Sequence, residues 1–317
     1  MESELVVLVV SFVFTILLSL IIIPILKKLR IGQIERDDGP TSHLKKQGTP
    51  TMGGIIIAIS MIIGGIILSF STKEIIPLII VSIGFGLVGC IDDSTKIKYQ
   101  STKGISPTSK MLGLLIISVM YALFLSNNES IGTETLIPII KTYVNIPVYI
   151  YIPFVIFVML ATTNAVNLTD GIDGLSSSIS LIIICCLTAI GILKNETEIA
   201  IFGALVSGTC LGFLMFNLHP AKVFMGDTGS LLLGGVIVAM ALYLKVPFLL
   251  IIIAIVPVLE TLSVIIQVAY FRKTGNRIFK MAPIHHHFEL SGWTESTVVS
   301  TFSLVTLIAS IIGIFVI

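Results

Sequence analysis

The chain has 317 residues, 55% of them hydrophobic and 12% charged, with a mean hydropathy of +1.06. That balance excludes an ordinary soluble domain and points to a membrane protein. The net charge of +1 identifies no partner, because a whole-chain sum hides any segregation of charge between two faces.

Crossing a hydrocarbon layer of ~30 Å takes roughly 20 apolar residues in a helix, and only a helix or a closed barrel satisfies its own backbone in lipid. The apolar runs are continuous and do not alternate, so helices are expected. In chain order the sequence predicts spans near 5–29, 52–71, 75–91, 109–126, 147–163, 174–193, 198–216, 229–244, 247–271 and 297–317. Glu2 and Glu4 stand where a cleavable leader carries positive charge, and no small-residue cleavage site follows, so the first span is expected to be retained. The fold class read from this is an all-α polytopic membrane protein of about ten transmembrane helices, forming one integral-membrane domain over residues 1–317.

Orientation follows from the basic residues. With the N-terminus outside, the loops 27–51, 92–110, 164–173, 217–228 and 272–296 face the cytoplasm and hold every lysine and arginine except Lys73, Lys141, Lys194 and Lys245. This is the bias the positive-inside rule describes. All the aspartates lie on the same loops or at their edges, and none lies on the outer side. An active site, if present, is therefore expected on the cytoplasmic face. Cys90, Cys185, Cys186 and Cys210 sit in or at the ends of spans without a CxxC pattern, which reads as apolar packing.

Each inner loop carries a distinctive string. In "KKQGTPTMGG" (45–54), lysines, threonine hydroxyls and glycines can approach an anion closely. In "CIDDSTKIK" (90–98), Asp92, Asp93 and Lys96 fall on one side if the helix continues, since residues three and four apart are neighbours. Acidic groups at a helix C-terminus oppose the macrodipole, so capping explains them poorly. In "NAVNLTDGIDGL" (164–175), Asn167, Asp170 and Asp173 repeat every third residue, which predicts one polar side, without the ligand order of an EF-hand. In "NLHPAKVFMGDTGSLLLGG" (217–235), Asp227 is either an N-cap or a metal ligand, and Phe224 is either a base-stacking ring or an interfacial anchor. In "MAPIHHHFELSGW" (281–293), three consecutive histidines cannot all ligate one ion from a regular helix, but histidine can donate to phosphate oxygens. Together these groups suit phosphate handling with a hard divalent cation such as Mg²⁺, which takes carboxylate and phosphate oxygens.

The strings "KKQGTPTMGG", "IDDSTK", "NAVNLTDGIDGL", "FMGDTGSL" and "PIHHHFE" resemble the polyprenyl-phosphate N-acetylhexosamine-1-phosphate transferases, in the same order over about residues 40–293. They look most like the branch that handles phospho-N-acetylmuramoyl-pentapeptide. The resemblance implies a Mg²⁺-dependent transfer of phospho-N-acetylmuramoyl-pentapeptide from its UDP carrier to undecaprenyl phosphate. UMP is released and the lipid-linked peptidoglycan precursor, lipid I, is formed. The partners implied are UDP-MurNAc-pentapeptide, undecaprenyl phosphate, membrane lipid and a possible homodimer, with no nucleic acid. The location implied is the bacterial plasma membrane.

Carried over by position, the resemblance makes Asp92 the group that deprotonates the lipid phosphate, with Asp93 needed beside it and Asp227 the magnesium ligand. It places Asn167, Asp170 and Asp173 at the nucleotide-sugar site, with Asp173 and Phe224 near the uracil and Asn217 close by. Lys46, Thr51, Lys96, Lys103 and Lys110 match polar positions around the phosphates and uridine, and His285, His286 and His287 match a motif near the diphosphate. Two schemes remain open, direct attack by the lipid phosphate or a covalent intermediate on Asp92. The alternatives are a sister enzyme transferring N-acetylglucosamine-1-phosphate and, remotely, a secondary transporter, for which only Glu260 stands at relay depth. Pro257 is expected to kink or break the span 247–271, and Glu260 to face protein or water beside a groove for the isoprenoid tail.

Overall fold

The computed structural model describes residues 2–29 and 48–317, so Lys46 lies outside the described residues. The helices are α1 (Glu2–Lys28), α2 (Gly54–Ser69), α3 (Ile76–Lys98), α4 (Pro107–Asn127), α5 (Val148–Thr169), α6 (Leu175–Leu193), α7 (Thr197–Asn217), α8 (Gly226–Tyr243), α9 (Leu250–Ile253), α10 (Ile255–Thr274), α11 (Ile284–Glu289) and α12 (Glu295–Phe315). Among the described residues nine helices are long and apolar enough to cross a membrane, and α2 is a shorter apolar helix. The count of about ten therefore resolves into nine full-length helices and α2, whose 16 residues span about 24 Å.

α8 forms the centre. Its residues from Thr228 to Leu242 are buried, and α3, α5, α2 and α6 pack around it. α1 packs chiefly on α7, and it turns Ser11, Thr15 and Ser19 inward while Leu17 and Leu20 stay more than half exposed. That inversion fits lipid, where large apolar side chains gain nothing by leaving the solvent and small residues let backbones approach. Opposite the serines, Gly208 and Gly212 of α7 form a GxxxG pair. A Cβ on Gly208 would collide with Ser11 Oγ and the Leu8 carbonyl, and one on Gly212 would lie 2.7 Å from the Phe12 carbonyl. Gly208→Leu is accordingly expected to destabilise the detergent-purified protein by about 1–3 kcal/mol through overpacking. Thermal unfolding followed by fluorescence checks this, with Gly208→Ala expected to cost less.

Three departures from the sequence expectation matter. First, α3 runs on to Lys98 and α5 to Thr169, six or seven residues past their apolar windows, because the polar residues there are bonded to other helices. Second, an antiparallel hairpin, β1 (Glu134–Ile137) with β2 (Thr142–Asn145), pairs Glu134 with Asn145 and Ile137 with Thr142 in the 128–147 connection. The fold is thus helical with one small hairpin, at the bundle end opposite the polar loops, where the Leu136 N–H donates to the Lys245 carbonyl.

Third, the span 247–271 breaks at Ala254 and not at Pro257. A 3₁₀ turn (Pro247–Leu249) and α9 precede the break, and α10 begins at Ile255. Pro257 then lies in the first turn of α10, where its missing N–H leaves no helical bond unmade. Glu260 is fully enclosed and faces His285 of α11 rather than a groove, which corrects the expectation of an opening beside it.

Candidate active site

The polar loops meet at one end of the bundle, around the junction of α3 with the start of α8. Gly89 permits the close approach, since a Cβ there would collide with the backbone carbonyl of Asp227. One turn on, Asp93 is 3% exposed and accepts from the N–H groups of Asp227 (3.2 Å) and Thr228 (2.9 Å) and from the Thr228 hydroxyl (2.7 Å). α8 has no side-chain cap from its own N-cap residue, Met225. Asp93, arriving from a different helix, satisfies the amides that a local cap would otherwise take.

Asp227 is thereby released from capping, which corrects one of its two sequence readings. Its carboxylate accepts from Lys110 Nζ at 2.6 Å and from Asn167 Nδ2 at 3.1 Å, and Lys96 Nζ lies 3.1 Å away. Lys96 also reaches Asp92 at 2.7 Å and Asp93 at 3.6 Å. The continued helix α3 does set these three residues on one side. Asp92 holds its other oxygen against the Ile105 N–H at 2.9 Å. Asn167 completes the cluster by donating to Ser230 Oγ at 2.8 Å.

One oxygen from each of Asp92, Asp93 and Asp227 lies within 4.8 Å of the others. An all-oxygen set of this size suits a hard divalent cation and lacks the nitrogen and sulfur donors that zinc prefers. Asp93 already spends its oxygens on the amides and hydroxyl of α8, so Asp227, with Asp92 beside it, is better placed to hold a cation. Asp170, at the end of α5, adds a fourth carboxyl. Asp170 is partly exposed. Burial, followed by the charges of Asp227 and Asp93, pushes it well above the ordinary carboxylate range. Asp92, Asp93 and Asp227 against the ammonium groups of Lys96 and Lys110 still leave an excess of negative charge that a bound cation would offset.

The remaining sequence candidates divide. α5 ends at Thr169 and residues 170–174 form a turn, and Asp173 finds partners other than those of Asn167. The Asp173 carboxylate accepts from the Ala221 N–H at 3.0 Å and meets His219 Nδ1 at 3.0 Å. Glu295 stands behind it, 3.7 Å from His219 Nδ1, and accepts from the Asp173 N–H at 3.3 Å. His219 and Glu295 were not singled out in the sequence. His219 lies inside a string already marked, whereas nothing local distinguishes Glu295 from an acidic residue in the first turn of α12.

Asn217 is 3% exposed, accepts from Ser177 Oγ at 2.6 Å and donates to the Val223 carbonyl at 3.0 Å. Its amide braces the 218–223 turn. Phe224 is half-buried, and its N–H and carbonyl bond the Pro50 carbonyl and the Gly53 N–H, each at 2.8 Å. Thr51, on the same segment, lies beside Gly226. Lys103 is exposed on the segment after α3 and does not join the acid cluster.

The three histidines point three ways. His285 is fully buried. His286 pairs through Nδ1 with Glu289 at 2.7 Å, and His287 Nδ1 accepts from the Lys280 N–H at 3.1 Å. A direct contact of His285 with substrate, as carried over from the resemblance, does not fit this enclosure.

The fold is a bundle of apolar helices whose polar end gathers carboxylates and ammonium groups, and glycosyl transferase family 4 matches residues 75–245. Ahead of that segment, phospho-N-acetylmuramoyl-pentapeptide-transferase signature 1 matches residues 46–57. The chain is 45% identical over 309 residues to the phospho-N-acetylmuramoyl-pentapeptide-transferase of Acetivibrio thermocellus, covering 97% of this chain and 93% of the relative. Identity to the protein of that name from Clostridium kluyveri is 48% over 305 residues, or 96% of each chain. For Halalkalibacterium halodurans it is 47% over 312 residues, covering 97% and 95%. The chain belongs to the phospho-N-acetylmuramoyl-pentapeptide-transferase family.

Proposed function

We propose that this protein transfers phospho-N-acetylmuramoyl-pentapeptide from UDP to undecaprenyl phosphate, forming lipid I and UMP, as one integral-membrane transferase domain in the bacterial plasma membrane. Family membership supports the reaction. The observation that carries the chemistry is the meeting of Asp92, Asp93, Asp227, Lys96, Lys110 and Asn167 from α3, α4, α5 and α8 in one cluster at the polar end of the bundle. A substrate pair that is half nucleotide and half lipid has to be met where water touches the bilayer. The segregated basic residues support a cytoplasmic position for that end and an outer N-terminus.

In the reading the geometry favours, an oxygen of the lipid phosphate attacks the β-phosphorus of the UDP-sugar. The bond from that phosphorus to the bridging oxygen breaks, and UMP leaves with the electron pair. Asp92 accepts the proton of the lipid phosphate when that phosphate arrives protonated. Asp92 is held between the Ile105 N–H and Lys96, and direct transfer is favoured over a phospho-aspartate because the lipid phosphate already carries a formal negative charge. Lys96 and Lys110 offer positive charge to phosphate oxygens, and Asp93 fixes α8 so that Asp227 and Asn167 keep their places. Mg²⁺ held by Asp227 would neutralise charge on the diphosphate and on departing UMP.

The test is UMP release by purified protein given undecaprenyl phosphate, Mg²⁺ and either UDP-MurNAc-pentapeptide or UDP-N-acetylglucosamine. Release with the first sugar nucleotide alone is expected. Release only with the second would replace this reading by the sister activity.

A further inference from the structure

Glu260 and His285 are each 0% exposed, come from α10 and α11, and meet with Glu260 Oε2 3.1 Å from His285 Nδ1 and 3.4 Å from the His285 backbone N. The Nδ1 contact is close but not aligned as a hydrogen bond. Glu260 Oε1 and both ring nitrogens have no aligned partner, so the backbone N–H bond and close packing hold the pair. A carboxylate wholly removed from water inside a membrane helix is retained only against a compensating donor, and here the imidazole and its own backbone N–H are the groups within reach. On its far side, His285 Nε2 presses on Gly171, where a Cβ would overlap the ring. Gly171 lies between Asp170, which feels Asp227 and Asp93, and Asp173, which is tied to His219 and Ala221.

We propose that Glu260 is a positioning residue for the transfer reaction: it wedges His285 against Gly171 and thereby fixes the Asp170–Asp173 turn beside the acid cluster. The chain of contacts runs from α10 through α11 to the loop after α5. The kinetic part rests on the functional reading above, in which this turn meets the nucleotide sugar. The structural part does not.

The experiment compares amide hydrogen exchange in wild type, Glu260→Leu and Glu260→Gln, followed by steady-state kinetics on the same proteins. In Glu260→Leu, which removes the acceptor of the His285 backbone N–H and the carboxyl packed against the ring, exchange across 164–175 is expected to rise at least about tenfold, with the 92–98 segment unchanged. Glu260→Gln keeps an acceptor and is expected to restore most of the protection. The KM for UDP-MurNAc-pentapeptide should rise about tenfold in Glu260→Leu while that for undecaprenyl phosphate stays constant. Gly171→Ala probes the same contact from the opposite side and should raise exchange across 281–293. Unchanged exchange at 164–175 in Glu260→Leu, or at 281–293 in Gly171→Ala, would overturn the proposal. Absence of turnover in wild type would instead overturn the functional reading and leave the exchange result to decide this one.

Discussion

Replacing Asp227 with asparagine is expected to lower UMP release by about a thousand-fold or more, the loss that follows when several kcal/mol of charge stabilisation at a diphosphate disappear. The substitution is nearly isosteric and leaves the α8 backbone amides with Asp93, which caps them from α3. Helix placement should therefore survive, and the defect should lie in charge alone. Without the carboxylate, Lys96 and Lys110, which now share Asp227 Oδ2 at 3.1 and 2.6 Å, face each other across a neutral amide, and the cluster loses its central anion. Turnover measured over a range of Mg²⁺ concentrations checks this, with no rescue expected at high Mg²⁺. Near-normal activity would remove Asp227 from the mechanism.

Asp92→Asn is expected to give a comparable fall, roughly a hundred- to ten-thousand-fold, the range for loss of a positioned base. The two variants should part in binding. Asparagine at 92 can still accept from the Ile105 N–H and leaves Asp227, Lys110 and Asn167 in contact. UDP-MurNAc-pentapeptide should therefore bind Asp92→Asn with unchanged affinity, as read by calorimetry, while chemistry stops. Weakened binding in parallel with the lost turnover would assign Asp92 to substrate affinity instead of proton transfer.

Why some of this was legible in the sequence, and some was not, follows from the physics of each segment. Apolar windows located the long helices because lipid imposes a length on them. The same windows ended α3 and α5 too early, since a window detects contact with hydrocarbon whereas Asp92, Asp93, Lys96 and Asn167 continue their helices into protein. The acid cluster was visible as "DD", "GD" and "N" strings, and the i, i+4 spacing of Asp92 and Lys96 placed that pair correctly. Capping of α8 by Asp93 was hidden because the donor amides lie more than 130 residues away in sequence. For the same reason the period of three in Asn167, Asp170 and Asp173 did not reveal their partners: the helix gives way to a turn after Thr169, and Asp173 meets His219 and Ala221, 46 and 48 residues away. Glu260 stood out as an ionisable residue deep in an apolar run, but its partner, 25 residues on in a polar loop, was not readable from periodicity.

In the proposed reaction the three carboxylates at the α3–α8 junction are the point where the diphosphate and its cation are met. Titration of the purified protein with Mn²⁺ as a magnesium substitute, followed by electron paramagnetic resonance in the presence of UDP-MurNAc-pentapeptide, tests this most directly. About one bound Mn²⁺ per chain is predicted for wild type and for Asp173→Asn, with the bound signal lost in Asp227→Asn. Equal binding in wild type and Asp227→Asn would contradict it.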